Sequence, residues 1–144
     1  MKSRLLNDGP QRTFALVFNT GEELNGGFST LAKQHNIHSA SFTGLGALSR
    51  VVLGYFDWEK KEYRKLVFDE QVEVVSLIGN VALDQHGQPS LHPHMVIARS
   101  DATAFGGHVL EALVRPVIEL VVTESPAYLQ RRKDAESGLA LIAP

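Results

Sequence analysis

Residues 39–56 read SASFTGLGALSRVVLGYF, and residues 62–83 read EYRKLVFDEQVEVVSLIGNVAL. Along both stretches apolar and polar side chains alternate, β-branched and aromatic residues recur, and glycines punctuate the run. That is the period of a strand, whose successive side chains point to opposite faces, rather than the 3.6-residue period of a helix. Strands are therefore expected over Ser39 to Leu45, Arg50 to Phe56, Glu62 to Phe68 and Val72 to Leu83. The pattern continues through Ser90 to Arg99 and Val109 to Thr123, the last broken at Pro116. Asp57 to Lys61 (DWEKK) and Asp84 to Pro89 (DQHGQP) are turn chemistry, with Gly87 available for a positive φ. These strands follow one another too closely for repeated βαβ crossovers, so the sheet is expected to be mostly antiparallel.

Working outward, Arg12 to Phe18 (RTFALVF) is a further apolar strand candidate that runs into Thr20-Gly-Glu-Glu23, the spacing of a helix capping box. A helix is expected to start there, with Leu24, Phe28 and Leu31 on one face and Lys33, Gln34 and Asn36 as a polar ending. Gly26 and Gly27 oppose a helix, each by roughly 1 kcal/mol relative to alanine, so either the helix is weak there or another backbone packs closely against it. One early helix followed by adjacent strands gives an α+β fold in a single domain. The expected organisation is a polar N-terminal extension over residues 1–11, the domain over residues 12–125, and a C-terminal tail or short helix over residues 126–144.

The chain has 144 residues, 44% hydrophobic and 21% charged, which suits one globular domain able to bury its own core without a disulfide or a metal. Cysteine is absent, which excludes disulfide frameworks, thiolate zinc sites and cysteine nucleophiles. Fourteen Lys and Arg against sixteen Asp and Glu leave a net charge of −2, with no global pull toward nucleic acid. No apolar run approaches the roughly 18 residues of a membrane span, and Met1 to Arg12 carries no apolar stretch of signal-peptide length. A soluble, cytoplasmic protein with no membrane partner is the expectation.

Chemistry concentrates in the histidines. His92 and His94 flank Pro93 in LHPH, and in an extended segment residues i and i+2 share a face. His108 follows Gly106-Gly107, a pair that lets backbone turn sharply or approach a neighbouring strand. Three imidazoles with an open fourth position are a recognised arrangement of catalytic zinc. An H-x-H pair alone does not specify a metal, since strand histidines also serve as hydrogen-bonded surface residues. Pro93 cannot donate a ladder hydrogen bond and points to an edge, a bulge or a strand end. Arg99, Asp101 and His86 read as solvated loop or strand-end residues.

TGEEL, SFTGLGALSRVVLGYFD, EVVSLIGNVAL, LHPHMVIA and GGHVLEALV, taken in this order, give a chain that resembles the plant-and-prokaryote conserved (PPC) domain family over about Arg12 to Glu124. Plant members of that family carry AT-hook DNA-binding motifs beside the domain. The resemblance implies a strongly bent antiparallel sheet flanked by one or two helices, and assembly into a homotrimer. It also implies metal binding, as in some prokaryotic members, through His92, His94 and His108. An all-imidazole set without cysteine suits zinc, the expected ion, and stays compatible with nickel or copper. The family's residue between the strand histidines is usually apolar, often leucine, where this chain has Pro93.

Two classes of function follow. One is a metal-site or small-ligand protein, conceivably an enzyme, for which no acid or base is assignable. Glu73, at an acidic position of the family, and Glu111, three residues after His108, could orient an imidazole or a water, or be solvated strand-face carboxylates. The other is a DNA-associated protein, or a trimerisation and partner-binding module. An AT-hook needs an Arg-Gly-Arg core, which this sequence lacks, so direct nucleic-acid binding is not expected. The basic runs KKEYRK (Lys60 to Lys65) and RRK (Arg131 to Lys133) read as solvated faces.

Overall fold

The computed structural model describes residues 1–125 and 128–143. In chain order the elements are β1 (Lys2–Asn7), β2 (Thr13–Asn19), α1 (Leu24–Gln34), β3 (Ala40–Asp57), β4 (Glu62–Phe68), β5 (Val72–Leu83), β6 (Pro89–Ala98), β7 (Ala104–Glu124), β8 (Gln130–Lys133) and β9 (Ala140–Ala143). The fold is α+β in the broad sense, mostly sheet with one short helix among the described residues. That helix is not long and apolar enough to cross a membrane.

Two long strands organise the sheet. β3 and β7 pair antiparallel from Ala40↔Glu124 to Gly54↔His108. β5 lies along the first half of β3, β6 along β5, and β6 in turn pairs with the start of β7, so β3, β5, β6 and β7 form a closed ring of neighbours. β2 continues from the far half of β7, and β4 from the far half of β3. The pairings are antiparallel except the single contact of β5 with β8, Leu83↔Gln130, which is parallel.

Strands this long cannot stay flat, and the register slips where they bend. Between Gly46↔Ile118 and Leu48↔Val114, β7 carries extra residues, and Pro116 sits among them. The expected break at Pro116 is therefore a bulge, placed where a residue without N–H costs no ladder bond. Gly46 faces it with φ +143°, and a Cβ there would lie 2.1 Å from the Val117 carbonyl oxygen, so only glycine fits the bend.

The helix begins later than the capping-box spacing predicts. Glu23, not Thr20, is the N-cap, its carboxylate accepting from the Gly26 N–H at 2.6 Å. The preceding residues are held by the sheet: the Gly21 N–H donates to Val114 O, and the Val114 N–H donates to Glu22 O. Their backbone is thereby withdrawn from the helix. Leu24, Phe28 and Leu31 are buried as expected, each worth roughly 1.5–3 kcal/mol, and they seat α1 against the sheet. Gly27 has a close neighbour, a side chain rather than backbone, because a Cβ there would lie 2.6 Å from the Phe18 ring, whereas Gly26 faces only the Glu23 carboxylate of the cap.

Both chain ends differ from a simple extension and tail. Lys2–Asn7 forms the exposed edge strand β1, paired with β2. Gln130–Lys133 and Ala140–Ala143 form the antiparallel hairpin β8/β9, where a tail or short terminal helix was expected. Of that segment, residues 126, 127 and 144 lie outside the described residues.

Candidate metal centre

His92 and His94 project from β6 with the parity that an extended strand dictates. Pro93 between them is buried, His92 is half-buried and His94 exposed on the opposite face. Pro93 pairs with Gly79 of β5, while the ladder to β7 begins one residue later at His94↔His108. On that edge no neighbouring strand needs the missing amide, which matches the edge position expected of the proline. The same ladder sets His108 directly across from His94.

The three imidazoles converge. One ring nitrogen from each lies within 4.8 Å of the others. His92 Nε2 and His94 Nε2 are 3.1 Å apart. Ring centroids are separated by 5.0 Å (His92 and His94), 5.1 Å (His92 and His108) and 5.3 Å (His94 and His108). A tetrahedral ion with bonds of about 2.0–2.1 Å needs nitrogens about 3.3–3.4 Å apart, so the first pair already has nearly that edge. The remaining separation closes by up to about 1.5 Å of ring movement. The Nδ1 of His108 is buried with no hydrogen-bond partner among the described residues. The donor set therefore fits a borderline metal such as zinc, held by imidazole alone.

The environment favours neutral rings, the form that coordinates. Burial pushes His108 down to about 4, helped by His92, His94 and Arg131. His92 is also lowered, by burial first and then by His94 and Arg131. Tyr63 of β4 stacks on His108, with centroids 4.9 Å apart and planes 20° from parallel. That stack crosses β3 at Gly54, the residue paired with His108. A Cβ on Gly54 would lie 2.7 Å from the Tyr63 ring, so the glycine leaves the space through which tyrosine reaches histidine. The Gly-Gly pair serves the close approach expected of it, since a Cβ on Gly107 would meet Gly54 O at 2.9 Å.

Beside the histidines opens a cavity of about 190 Å³, lined by His92, His108, Tyr63, Arg131, Ser90, Leu91 and residues 139–141 of the hairpin. Arg131 and Tyr63 belong to the runs read from sequence as solvated, and for Arg131 that reading is corrected: it is only 5% exposed. The cause is strand parity in β8, which turns Arg131 inward while its neighbours face water. Glu73 and Glu111 do not join the site. Glu73 is exposed on β5 opposite Ala47 and Ala98, and Glu111 pairs with Arg50. Arg99 pairs with Glu70, and His86 and Asp101 lie in exposed turns, as expected.

The chain is similar to several proteins of known structure. A plant- and prokaryote-conserved (PPC) protein of Pyrococcus horikoshii is 35% identical, with 92% of each chain covered and a TM-score of 0.86. A protein of Archaeoglobus fulgidus called metal-containing is 30% identical over 99% of this chain and 97% of its own, with a TM-score of 0.85. A Bacteroides thetaiotaomicron protein called "putative dna binding protein" is 28% identical over 98% and 96%, with a TM-score of 0.87. No curated protein matches. The model of the Plants and Prokaryotes Conserved (PCC) domain matches residues 6–126. The chain belongs to this plant-and-prokaryote conserved domain family.

Proposed function

We propose that this protein is a metal-site protein in which His92, His94 and His108 hold one divalent transition ion, zinc by preference, with a coordination position open toward the adjoining cavity. The observation that carries the reading is the convergence of three imidazole nitrogens within 4.8 Å, none of them paired with a carboxylate among the described residues. The metal-containing relative from Archaeoglobus fulgidus supports it. A bound ion at such a site polarises an oxygen of a ligand or lowers the pKa of a coordinated water. The chain's own part is to keep the imidazoles neutral by burial and to fix His108 against Tyr63. Loss of cysteine chemistry leaves this all-nitrogen set as the strongest donor cluster among the described residues.

We also propose a homotrimer. Thr43 is paired with both Val121 and Ile78, and Ile78 with His94, so these outward side chains form one row across β7, β3, β5 and β6. Val121, Ile78 and the nearby Leu45 are 47%, 54% and 58% exposed, an apolar strip that a neighbouring subunit would cover. Light scattering is expected to give three times the 15.8 kDa chain mass, and a clean monomer would contradict it. DNA association, the alternative that one relative's name suggests, finds no support in a chain of net charge −2 without an Arg-Gly-Arg core.

Zinc titration against a competing chelator at pH 7.5 tests the metal reading. One ion per chain is expected, with binding lost in His92→Ala, His94→Ala and the double variant and little change in the thermal midpoint of the metal-free protein, because the core does not include these rings. No zinc uptake, or full uptake by the double variant, would overturn it.

A further inference from the structure

Arg131 is 5% exposed, yet among the described residues it makes no ion pair. One nitrogen, Nη2, donates to Asn80 Oδ1, and Nε is buried with no partner at all. Asp84 lines neighbouring cavities with Arg131, but its Oδ1 is occupied by the backbone N–H groups of His86 and Gln88. A guanidinium stays charged in proteins, and burying an uncompensated charge is costly unless something of opposite sign joins it. The fork geometry of arginine matches an oxyanion with two coplanar oxygens.

We propose that the cavity beside the histidines is a carboxylate pocket, in which Arg131 receives the carboxylate of a small organic acid and Leu91, Leu139 and Leu141 receive its short apolar chain. The cavity of about 190 Å³ corresponds to about six water volumes, hence a ligand of about six non-hydrogen atoms. Its walls sort the oxyanions. A phosphate carries oxygens on every side and would leave some of them against leucine, whereas a carboxylate keeps both on one end. His92 and His108 line the same cavity, which sets the acid beside the proposed ion. The Arg131 contact needs no metal; only the acid's placement next to an ion rests on the reading above.

Butyrate, with six non-hydrogen atoms, is the probe. Calorimetric titrations use the full chain, zinc-loaded and chelator-stripped, with butyramide as the neutral isostere and inorganic phosphate as the competing anion. Butyrate is expected to bind both forms at one per chain, about tenfold or more tighter than butyramide or phosphate, as a charge-assisted pair demands. Arg131→Met should weaken butyrate about tenfold or more while holding or raising the thermal midpoint, because an apolar side chain of similar length replaces an unpaired buried cation. Leu141→Trp, which fills the cavity from its rim and leaves Arg131 in place, should weaken butyrate similarly. Equal binding of butyrate and butyramide, phosphate matching butyrate, no butyrate binding at millimolar concentration, or undiminished binding by either variant would overturn the proposal. Zinc content measured on the same samples separates the two readings. Zinc bound without butyrate refutes the pocket alone, and Arg131-dependent butyrate binding without zinc uptake refutes the metal centre alone.

Discussion

Alanine at Gly54 would put a Cβ 2.7 Å from Tyr63 Cδ1 and 3.2 Å from Leu110 Cδ1. Carbon atoms rest at about 3.5–4.0 Å, so the tyrosine ring must recede by about 0.8 Å or more. It has little freedom to do so, being held between Phe56, 5.4 Å away edge-on, and His108, 4.9 Å away in a stack. Overpacking of this kind costs about 1–3 kcal/mol, from which about 0.5–1 kcal/mol is recovered because alanine loses less backbone entropy in a strand than glycine. The net loss is roughly 0.5–2 kcal/mol, or about 2–8 °C in thermal midpoint for a domain of this size. Displacing the ring also loosens His108. An aromatic stack is worth about 0.5–1.5 kcal/mol, so zinc affinity should fall about two- to tenfold. Thermal unfolding by circular dichroism and chelator competition read the two effects separately. A Gly54→Ala protein that melts at or above the wild-type temperature would refute the packing argument. One that melts lower but binds zinc unchanged would show that Tyr63 does not position His108.

Phe28 is 1% exposed and meets Phe42 edge-on at 4.8 Å, so Phe28→Ala should cost about 3–5 kcal/mol in urea unfolding; a loss under about 1 kcal/mol would mean that α1 packs loosely. The metal-free protein should lose stability in acid. The folded state holds His108 down at about 4, while the unfolded imidazole takes its proton near 6.5, so the histidine's contribution is complete above pH 6.5 and drains away toward pH 4. His108→Phe, which keeps a stacked neutral ring, should show a shallower decline of the urea midpoint over that interval, and parallel curves would contradict the assignment.

Much of this architecture is legible in residue order because it is local. Alternation over residues 39–56 and 62–83 fixes strand faces, and the i, i+2 spacing alone aims His92 and His94 together. What sequence hides is pairing across distance. Nothing near Tyr63 announces that it reaches His108 over a side-chain-free Gly54, because that contact depends on β4 and β7 flanking β3 from opposite sides. Arg131 sits in a charged run whose composition reads as solvated, and only the parity of a four-residue strand turns it inward. The helix starts later than the sequence predicts for a related reason: Thr20 to Glu23 has the local chemistry of a cap, but hydrogen bonds with Val114, more than ninety residues on, hold that backbone in the sheet. Glu73 and Glu111 were plausible partners by proximity in sequence, and strand register carries both away from the imidazoles.

The central claim is that three imidazoles share one ion, and X-ray absorption on the zinc-loaded protein addresses it most directly. The account predicts a first shell of nitrogen and oxygen at about 2.0–2.1 Å with outer-shell scattering from three imidazole rings. A shell of oxygens without imidazole scattering, or scattering from fewer than three rings, would contradict it.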